Sequence, residues 1–352
     1  MKIQFKRYRE FGLFDHDSRL RKLTKLGDPL NKLNKGIDFE IFRSLLESRL
    51  SQNVKGKGGR PPYDYVLMFK ILILQRYYNL SDHQVEFQIN DRMSFMRFLN
   101  LTIADDIPDS KTVWAFREKL VEMELTEAIF DLFLAQLTRL NLVLHEGKII
   151  DASFVEVPKQ RNSREQNKQI KEGEIPQEFI DNPHVLAQKD LDATWTKKNN
   201  MTFYGYKNHV KVDIENKIIT AYTVTTASVH DSQALDMLLD EIDAKKPLYA
   251  DSAYVGEKQE AVLEKHKIIN KIHEKGKINT PLTETQKKSN KEKSKIRAKV
   301  EHVFGFMEMS MNEMYLKCIG IKRATAAIGF MNLVYNMARK VQIFSKIMVK
   351  TA

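Results

Sequence analysis

Apolar residues recur at helical spacing in the first part of the chain. Ile37, Ile41 and Leu45 fall on one face of a predicted helix, and the Gly- and Pro-rich segment 55–62 ends the helical run. The residues before this helix are polar and basic and lack apolar periodicity. Residues 1–36 are therefore predicted to form an arm that orders only against a partner or the body of the protein.

Further periodic runs continue the helical pattern as far as residue 146. Helices are predicted over 63–78, from a capping box at Ser81, from a cap at Asp109 or Ser110, and over 126–142. Together with the first helix they predict an all-helical N-terminal domain, 37–146. The helix near residue 110 carries Lys111 and Arg117, which could lie in a DNA groove, although a plain helical bundle with solvated charges explains them equally well.

Strand signals replace the helical pattern from residue 148. The predicted elements are strands over 149–155, 203–212 and 217–226, a helix over 230–242, a strand over 248–250, a helix over 257–266 and a strand over 268–272. A strand, a hairpin and then alternating helices and strands is the order of a ribonuclease-H-like core. The predicted fold class is α/β: such a core, a mixed sheet with flanking helices in 147–345, joined to the helical N-terminal domain.

Polar stretches interrupt the predicted α/β domain twice. Residues 156–200 show almost no apolar periodicity and are predicted to form a polar insertion. A basic segment at 271–299 includes a lysine-rich stretch, 273–295, that is predicted to be poorly structured. Helical periodicity then returns over 300–309 and 325–344.

Charge identifies the kind of partner. The net charge of the 352 residues is +11, and it is concentrated: residues 1–60 hold 15 Lys and Arg against 7 Asp and Glu, and residues 271–299 hold 10 against 3. A single basic run is usually a solvated face, but two separate patches favour phosphate binding and hence double-stranded DNA as partner.

The cysteine count and the length of the apolar segments indicate the cellular compartment. Cys318 is the only cysteine, which excludes an internal disulfide and a thiolate zinc cluster within one chain. The N-terminus lacks the apolar stretch of a signal peptide, and the most apolar segment, 66–74, is short and contains Lys70. A cytoplasmic protein that does not enter the membrane is expected.

Three acidic residues in distant segments are candidates for a single metal site. Asp151 and Asp251 each end a short apolar run that predicts a buried strand, and Glu301 lies in a predicted helix. A desolvated carboxylate needs a partner, and divalent cations prefer clustered oxygen ligands. In the predicted core the two aspartates lie on adjacent strands about 5 Å apart, where the helix of Glu301 can face them. Three such acids can hold two divalent ions for phosphodiester chemistry.

Several other residues are candidates for supporting roles. Arg297 lies four residues before Glu301 on the same helical face, where it can orient the carboxylate, bind a phosphate or form a plain surface ion pair. Asp231 is predicted to cap a helix rather than to join the acids. DNA contacts are predicted at Lys207, Asn208 and His209, unless their strand is purely structural, at Lys295 and Lys299, and at Arg60, unless its segment is only a flexible linker.

Five short motifs follow one another along the chain. They are Ile150-Asp151-Ala152-Ser153, Phe203-Tyr204-Gly205-Tyr206-Lys207-Asn208-His209, Val229-His230-Asp231-Ser232, Ala250-Asp251-Ser252-Ala253-Tyr254 and Arg297-x-x-x-Glu301-His302-Val303-Phe304-Gly305. In order and spacing they resemble bacterial insertion-sequence transposases of the DDE type, most closely the insertion sequence 5 group. The wider Tyr-x-x-Arg-x-x-x-Glu-x-x-x-x-x-x-Lys signature is incomplete, since Ser294 and Glu308 occupy its Tyr and Lys positions.

The resemblance implies a ribonuclease-H-like domain in which Asp151, Asp251 and Glu301 bind two Mg²⁺ or Mn²⁺ ions. It implies cleavage of DNA at the terminal inverted repeats of the element, transfer of the 3′-hydroxyl end into target DNA, and binding of the element ends by the helical N-terminal part. Joining two ends requires a homodimer or a larger complex, at the bacterial nucleoid. Two alternatives stay open: a DNA-binding repressor without catalysis, against which the presence of all three acids argues, and a stand-alone metal-dependent nuclease.

Overall fold

The N-terminal region is built from helices. A computed structural model describes residues 12–51, 61–157, 160–198, 200–276 and 280–351, so the predicted linker and Arg60 lie outside the described residues. The helices are α1 (Asp15–Lys25), α2 (Pro29–Gly36), α3 (Arg43–Leu50), α4 (Tyr65–Tyr77), α5 (Asp82–Asp91), α6 (Met93–Leu99), α7 (Ser110–Glu122) and α8 (Leu125–Arg139), with a 3₁₀ turn at Phe39–Phe42 before α3.

Side-chain caps explain where several of these helices begin. Ser81 and Gln84 form the predicted capping box at the start of α5. Asp109 caps α7 by accepting a hydrogen bond from the backbone N–H of Thr112 at 2.6 Å. Each cap satisfies backbone N–H groups that have no partner inside the helix.

In the described residues, part of the predicted basic arm is ordered against the body of the protein, where α2 packs on α6. Residues 12–36 contain α1 and α2, and α2 buries Leu30 and Leu33 in the core. Asp28 caps α2 by accepting from the N–H of Leu30 at 2.9 Å. Two apolar residues on one short helix are enough to anchor it, although they are too few to stand out as periodicity.

The remaining elements form a mixed sheet with flanking helices. They are β1 (Lys148–Glu156), α9 (Arg164–Lys171), α10 (Gln177–Asp181), α11 (Pro183–Leu186), β2 (Thr194–Lys198), β3 (Met201–Asp213), β4 (Ile219–Thr226), α12 (Leu235–Leu238), β5 (Pro247–Tyr249), α13 (Glu257–Lys265), β6 (Ile269–Asn270), α14 (Glu284–Ser310) and α15 (Ile321–Thr351).

β1 is central to the sheet. It runs antiparallel to β3 over its whole length and parallel to β5 only at Lys148 and Ile149. β6 pairs with β5 on the side away from β1. On the side of β3 away from β1, β2 pairs with the first part of β3 and β4 pairs with the second part. The motif residue Gly205 has φ +147°, and a Cβ there would lie 2.4 Å from the carbonyl of Val155, so only glycine allows this close pairing. The predicted ribonuclease-H-like strand order is confirmed.

Three local predictions differ from the structure. The helix over 230–242 is broken into α12 and flanking 3₁₀ turns, because Leu239 and Asp240 are extended. The stretch 273–295 is helical from Glu284 onward, where Thr283 and Gln286 form a capping box. The insertion 156–200 contains three short helices and β2.

The helical region and the sheet share one hydrophobic core. α15 packs against α4, α8 and β4, and Phe69 of α4 meets Phe330 of α15 with ring centroids 6.1 Å apart. Phe130 of α8 meets Tyr222 of β4 edge-on at 4.9 Å. Among the helices of the described ranges, none is both long enough and apolar enough to cross a bilayer.

Candidate active site

Asp151 lies on β1 beyond the point where the pairing of β1 with β5 ends. The pairing of β5 with β1 stops at Ile149, so Asp151 sits two residues beyond it at an open edge of the sheet. Its side chain is only 14% exposed. One carboxylate oxygen accepts from the backbone N–H of Ala152 at 2.9 Å, and the other accepts from Nη1 of Arg297 at 3.0 Å.

Burial raises the pKa of Asp151 to about 6, although Arg297 and the Ala152 N–H lower it and the nearby charge of Asp251 raises it further. Desolvation therefore outweighs a direct arginine partner. The positive charge near the Asp151 carboxylate is too small to offset its burial.

Asp251 follows β5 instead of ending it. Its side chain caps the 3₁₀ turn Ser252–Tyr254 and accepts from the N–H of Ala253 at 2.7 Å. The residue is half-buried and lies close enough to Asp151 to act on its pKa. Asp151, two residues beyond the last pair of β1 with β5, and Asp251, two residues beyond the end of β5, thus lie at one edge of the sheet, which we call the acid edge.

Glu301 approaches the acid edge only through Arg297. Both lie on α14, and Nη2 of Arg297 is 3.8 Å from a carboxylate oxygen of Glu301, whose side chain is 66% exposed. Nε of Arg297 is buried and has no hydrogen-bond partner. The guanidinium therefore links Asp151 to Glu301, with part of its donor capacity unused.

Sequence reasoning assigned no role to Tyr254, which also lies at the acid edge. The residue is 1% exposed, and its hydroxyl is buried without a hydrogen-bond partner. Burial raises the pKa of Tyr254 well above its usual value, and the charges of Asp151, Asp231 and Asp251 act in the same direction. Its place three residues after Asp251 was the available signal.

Asp231 does not cap a helix as predicted. His230 takes that role by accepting from the N–H of Ser232, while Asp231 forms a 2.7 Å ion pair with Nζ of Lys207. The same ammonium donates to the carbonyl of Val229 at 2.6 Å. The pair is almost fully buried, and it fixes the turn after β4 against β3.

The predicted DNA contacts on β3 conflict with burial. Lys207 is 7% exposed, and Asn208 and His209 are 0% exposed. Asn208 exchanges hydrogen bonds with Asn332 of α15, and Nε2 of His209 lies 2.8 Å from the hydroxyl of Thr225. Burial lowers the pKa of His209 to about 4, so its ring is neutral at pH 7. These side chains hold the sheet together and do not reach the surface.

The other predicted DNA contacts are spread over the surface. Lys295 is exposed on α14 and pairs with Glu292 at 2.7 Å, and Lys299 lies 3.4 Å from Glu215. Lys111 is exposed at the start of α7. Arg117 is turned inward, where it binds Asp82 through two hydrogen bonds, so its charge is neutralised.

The acid edge fits divalent cations in part. Carboxylate oxygens are the ligands that Mg²⁺ and Mn²⁺ prefer, and the raised pKa of Asp151 marks a place where a cation is favoured. In the described ranges, however, no three His, Cys, Asp or Glu side chains are grouped closely enough to hold a metal ion. Asp151 and Asp251 are together, whereas Glu301 is turned toward solvent.

Strand order and acid edge together define a protein of the ribonuclease-H-like class. A family model described as "Transposase DDE domain" matches residues 144–337, more than half of the chain. A second, described as "Transposase domain (DUF772)", matches residues 18–119. The chain therefore belongs to the transposase DDE domain family and is a DDE transposase, as predicted; the insertion sequence 5 group stays a prediction.

One solved structure resembles most of the chain loosely. It is the cryo-EM structure of a piggyBac transposase synaptic complex with hairpin DNA. The alignment covers 90% of this chain and 75% of that chain, with 12% sequence identity and a TM-score of 0.42. Transposases of the DDE family generally use divalent metal ions.

Proposed function

We propose that this transposase cuts DNA at the terminal inverted repeats of an insertion sequence and transfers the resulting 3′-hydroxyl ends into target DNA. Asp151, Asp251 and Glu301 are the proposed catalytic carboxylates. The observation that carries the proposal is the largely buried Asp151, which lies on β1 beyond the end of its pairing with β5, near Asp251 and paired with Arg297. A buried acid with a raised pKa at an accessible edge is typical of a site that binds charge from outside.

The cofactors proposed are two Mg²⁺ or Mn²⁺ ions, held by Asp151, Asp251 and Glu301. Such ions stabilise the attacking and leaving oxygens of an in-line phosphodiester displacement. Hydrogen bonds from the N–H of Ala152 and from Arg297 hold the carboxylate of Asp151 in place. The cap that Asp251 makes on Ser252–Tyr254 holds that side chain at the end of β5.

Glu301 joins the other acids by a side-chain rotation on α14. Its carboxylate is exposed and bound only at 3.8 Å to Arg297, so little holds it in its present orientation. Arg297 then turns its guanidinium toward a substrate phosphate, for which its unused Nε donor is available. Arg297 thus pairs with Asp151 before substrate arrives and contacts DNA afterwards.

The first half of α14 is the proposed DNA-binding surface beside the acid edge. Lys287, Lys288, Lys291 and Lys295 are exposed along this helix, which leads directly to Arg297 and Glu301. The α7 surface around Lys111 is the proposed contact of the helical region with the element ends. Two ends must be held together, so the active form is proposed to be a dimer or larger.

Two other activities are distinguishable from transposition. A repressor of the element would bind DNA without cutting it, and a stand-alone nuclease would cut DNA without joining it to a target. The largely buried Asp151 and the nearby Asp251 favour catalysis over repression, because a repressor has no use for an acid at a desolvated edge.

The test is an assay with the full chain, Mg²⁺, duplexes that carry the ends of its own element, and a target plasmid. Asp251→Asn should abolish cleavage while duplex binding persists. Asp236→Asn is the matched control, because Asp236 is exposed and pairs only with Lys265 and His266. Cleavage by Asp251→Asn at the wild-type rate would disprove the assignment, and cutting by the wild type without joined products would indicate a nuclease.

A further inference from the structure

A cavity of about 140 Å³ lies between the helical region and the catalytic domain. α4, α7, α15 and the segment 316–318 form its walls, and no residue of the acid edge lines it. Part of the lining is apolar, including Leu72, Leu316 and Phe330. The rest of the lining is unusually rich in charge.

Arg76 on α4 lies at the bottom of this cavity with few partners. The residue is 9% exposed, and burial lowers its pKa to about 10. Its two terminal nitrogens donate to the carbonyls of Tyr315 and Glu313 at 3.5 and 3.2 Å, which are long hydrogen bonds. Nε is buried without a partner. A desolvated guanidinium normally binds a carboxylate or another anion.

The other charges of the lining leave Arg76 without a counterion. Asp82 is bound by Arg117 at 2.6 Å, and Glu118 is bound by Arg323 at 2.7 Å. Lys317 donates to the carbonyl of Asn79. Burial raises the pKa of Cys318 to about 11, so its thiol carries no charge at pH 7. The lining therefore holds four cations against two carboxylates, an excess of two positive charges.

We propose that the Arg76 cavity is a binding site for a phosphate group. A phosphate group would offset the excess positive charge and accept from the unused Nε of Arg76. The volume is large enough for a phosphate group. Lys317 and Arg323 are exposed, so they lie at the mouth of the cavity, where they can attract the anion before it reaches Arg76.

The site joins two parts of the chain. Arg76 and Arg117 belong to the helical region, whereas Lys317, Cys318 and Arg323 follow α14 or begin α15. An anion bound among them would lock the helical region against the catalytic domain. This inference is independent of the proposed chemistry at the acid edge.

Inorganic phosphate is the probe, added at 10 mM to the full chain and compared with sodium chloride at equal ionic strength. We expect phosphate to raise the Tm of the wild type by about 2 °C or more. Arg76→Met keeps an apolar stem of similar length but removes the charge, and it should abolish the shift. Arg43→Met is the matched control, because Arg43 is bound by Glu40, Glu47 and Asp64 on the surface, and it should retain the shift.

A second measurement covers the case in which Arg76→Met does not fold. The wild type should then broaden the ³¹P resonance of phosphate, and Arg76→Lys, which keeps the charge, should broaden it less. The proposal is overturned if phosphate stabilises the wild type no more than chloride, if Arg76→Met responds like the wild type, or if the ³¹P resonance is unchanged.

Anisotropy with a 20-base-pair duplex of arbitrary sequence identifies the source of the phosphate. If the group belongs to DNA, Arg76→Met should weaken duplex binding at least tenfold, and free phosphate should compete. If the group belongs to a small molecule, duplex affinity should stay unchanged while the Tm shift is lost. Either result supports the site.

Discussion

The two ends of the central strands both contain buried charges, but the charges are arranged differently. At the end opposite the acid edge, Lys211 is 1% exposed and bonds to Asp240 at 2.7 Å and to Asp243 at 2.6 Å. Nζ of Lys148 lies 3.5 Å from a carboxylate oxygen of the buried Asp213. Each lysine there has an aspartate, and we call this group the lysine–aspartate cluster.

The acid edge lacks such a balance. The guanidinium of Arg297 pairs with Asp151 and also faces Glu301, whereas the Asp251 side chain accepts from the N–H of Ala253, and the hydroxyl of Tyr254 has no hydrogen-bond partner. Burial raises the pKa of Asp151, whereas the lysines of the other cluster compensate their acids. Buried charges that are paired with opposite charges support structure, and buried acids that lack cations indicate where a site binds its ligands.

The largest expected effect is on cleavage at the acid edge. Asp151→Asn removes a ligand charge from the proposed site, and the rate of strand cleavage should fall on the order of 10³-fold. The Tm should stay the same or rise, because the variant no longer buries an acid. Cleavage assays and thermal unfolding of one preparation check both results. A fall in Tm together with normal cleavage would assign Asp151 to the same structural role as the lysine–aspartate cluster.

The opposite behaviour is expected at the lysine–aspartate cluster. Lys211→Met leaves Asp243 buried without its cation and should lower the free energy of unfolding by about 3–5 kcal/mol. Urea unfolding measures the change. Lys265→Met is the control, since its pair with Asp236 is exposed and should contribute less than about 1 kcal/mol. Equal losses in the two variants would contradict the contrast between buried and exposed pairs.

The pH dependence of stability separates the two ends further. The pKa of Asp151 is raised to about 6 in the folded state, so its stabilising contribution is complete below about pH 4 and is lost as the pH rises through 6. Asp151→Asn should therefore match the wild type near pH 4 and exceed its unfolding free energy by roughly 2–3 kcal/mol at pH 7. Unfolding at several pH values gives this difference directly. A difference that does not vary with pH would contradict the assigned cause.

Tyr254 provides a smaller test, because its buried hydroxyl at the acid edge lacks a hydrogen-bond partner. Tyr254→Phe removes a buried hydroxyl that has no hydrogen bond, so the free energy of unfolding should rise by about 1 kcal/mol. Tyr335→Phe is the matched control and should lower it by about 1 kcal/mol, because that hydroxyl donates to the carbonyl of Lys217 at 2.7 Å. If Tyr254 serves the acid edge, Tyr254→Phe should also cleave more slowly despite its greater stability. Loss of stability in both variants would show that Tyr254 has a structural partner.

The smallest effect concerns DNA affinity beside the acid edge. Lys291→Gln on α14 should weaken duplex binding and reduce the salt dependence of the binding constant by about one phosphate contact. Lys265→Gln on α13 carries the same charge change away from α14 and should leave affinity unchanged. Binding isotherms at several salt concentrations separate these results. Equal slopes in the two variants would remove α14 from the proposed DNA surface.

Local signals were sufficient for much of the fold. The capping box at Ser81 and the cap at Asp109 were predicted because a cap depends on side chains within three residues of each other. The order of strands from 148 onward followed from apolar runs. By contrast, the first turns of α14 are polar, and Thr283 with Gln286 was the only local sign of that helix. Polar helices have no apolar period to detect.

The sequence by itself determined the order of elements, the three spaced acids and the basic character of the segment before Glu301. Only the tertiary structure decided which charges became exposed. Packing of α15 on β3 and β4 buries Asn208, and the sheet buries Lys207 and His209 with partners far along the chain. The partner of Arg297 and the isolation of Arg76 were decided in the same way, because burial depends on neighbours that are distant in sequence and near only after folding.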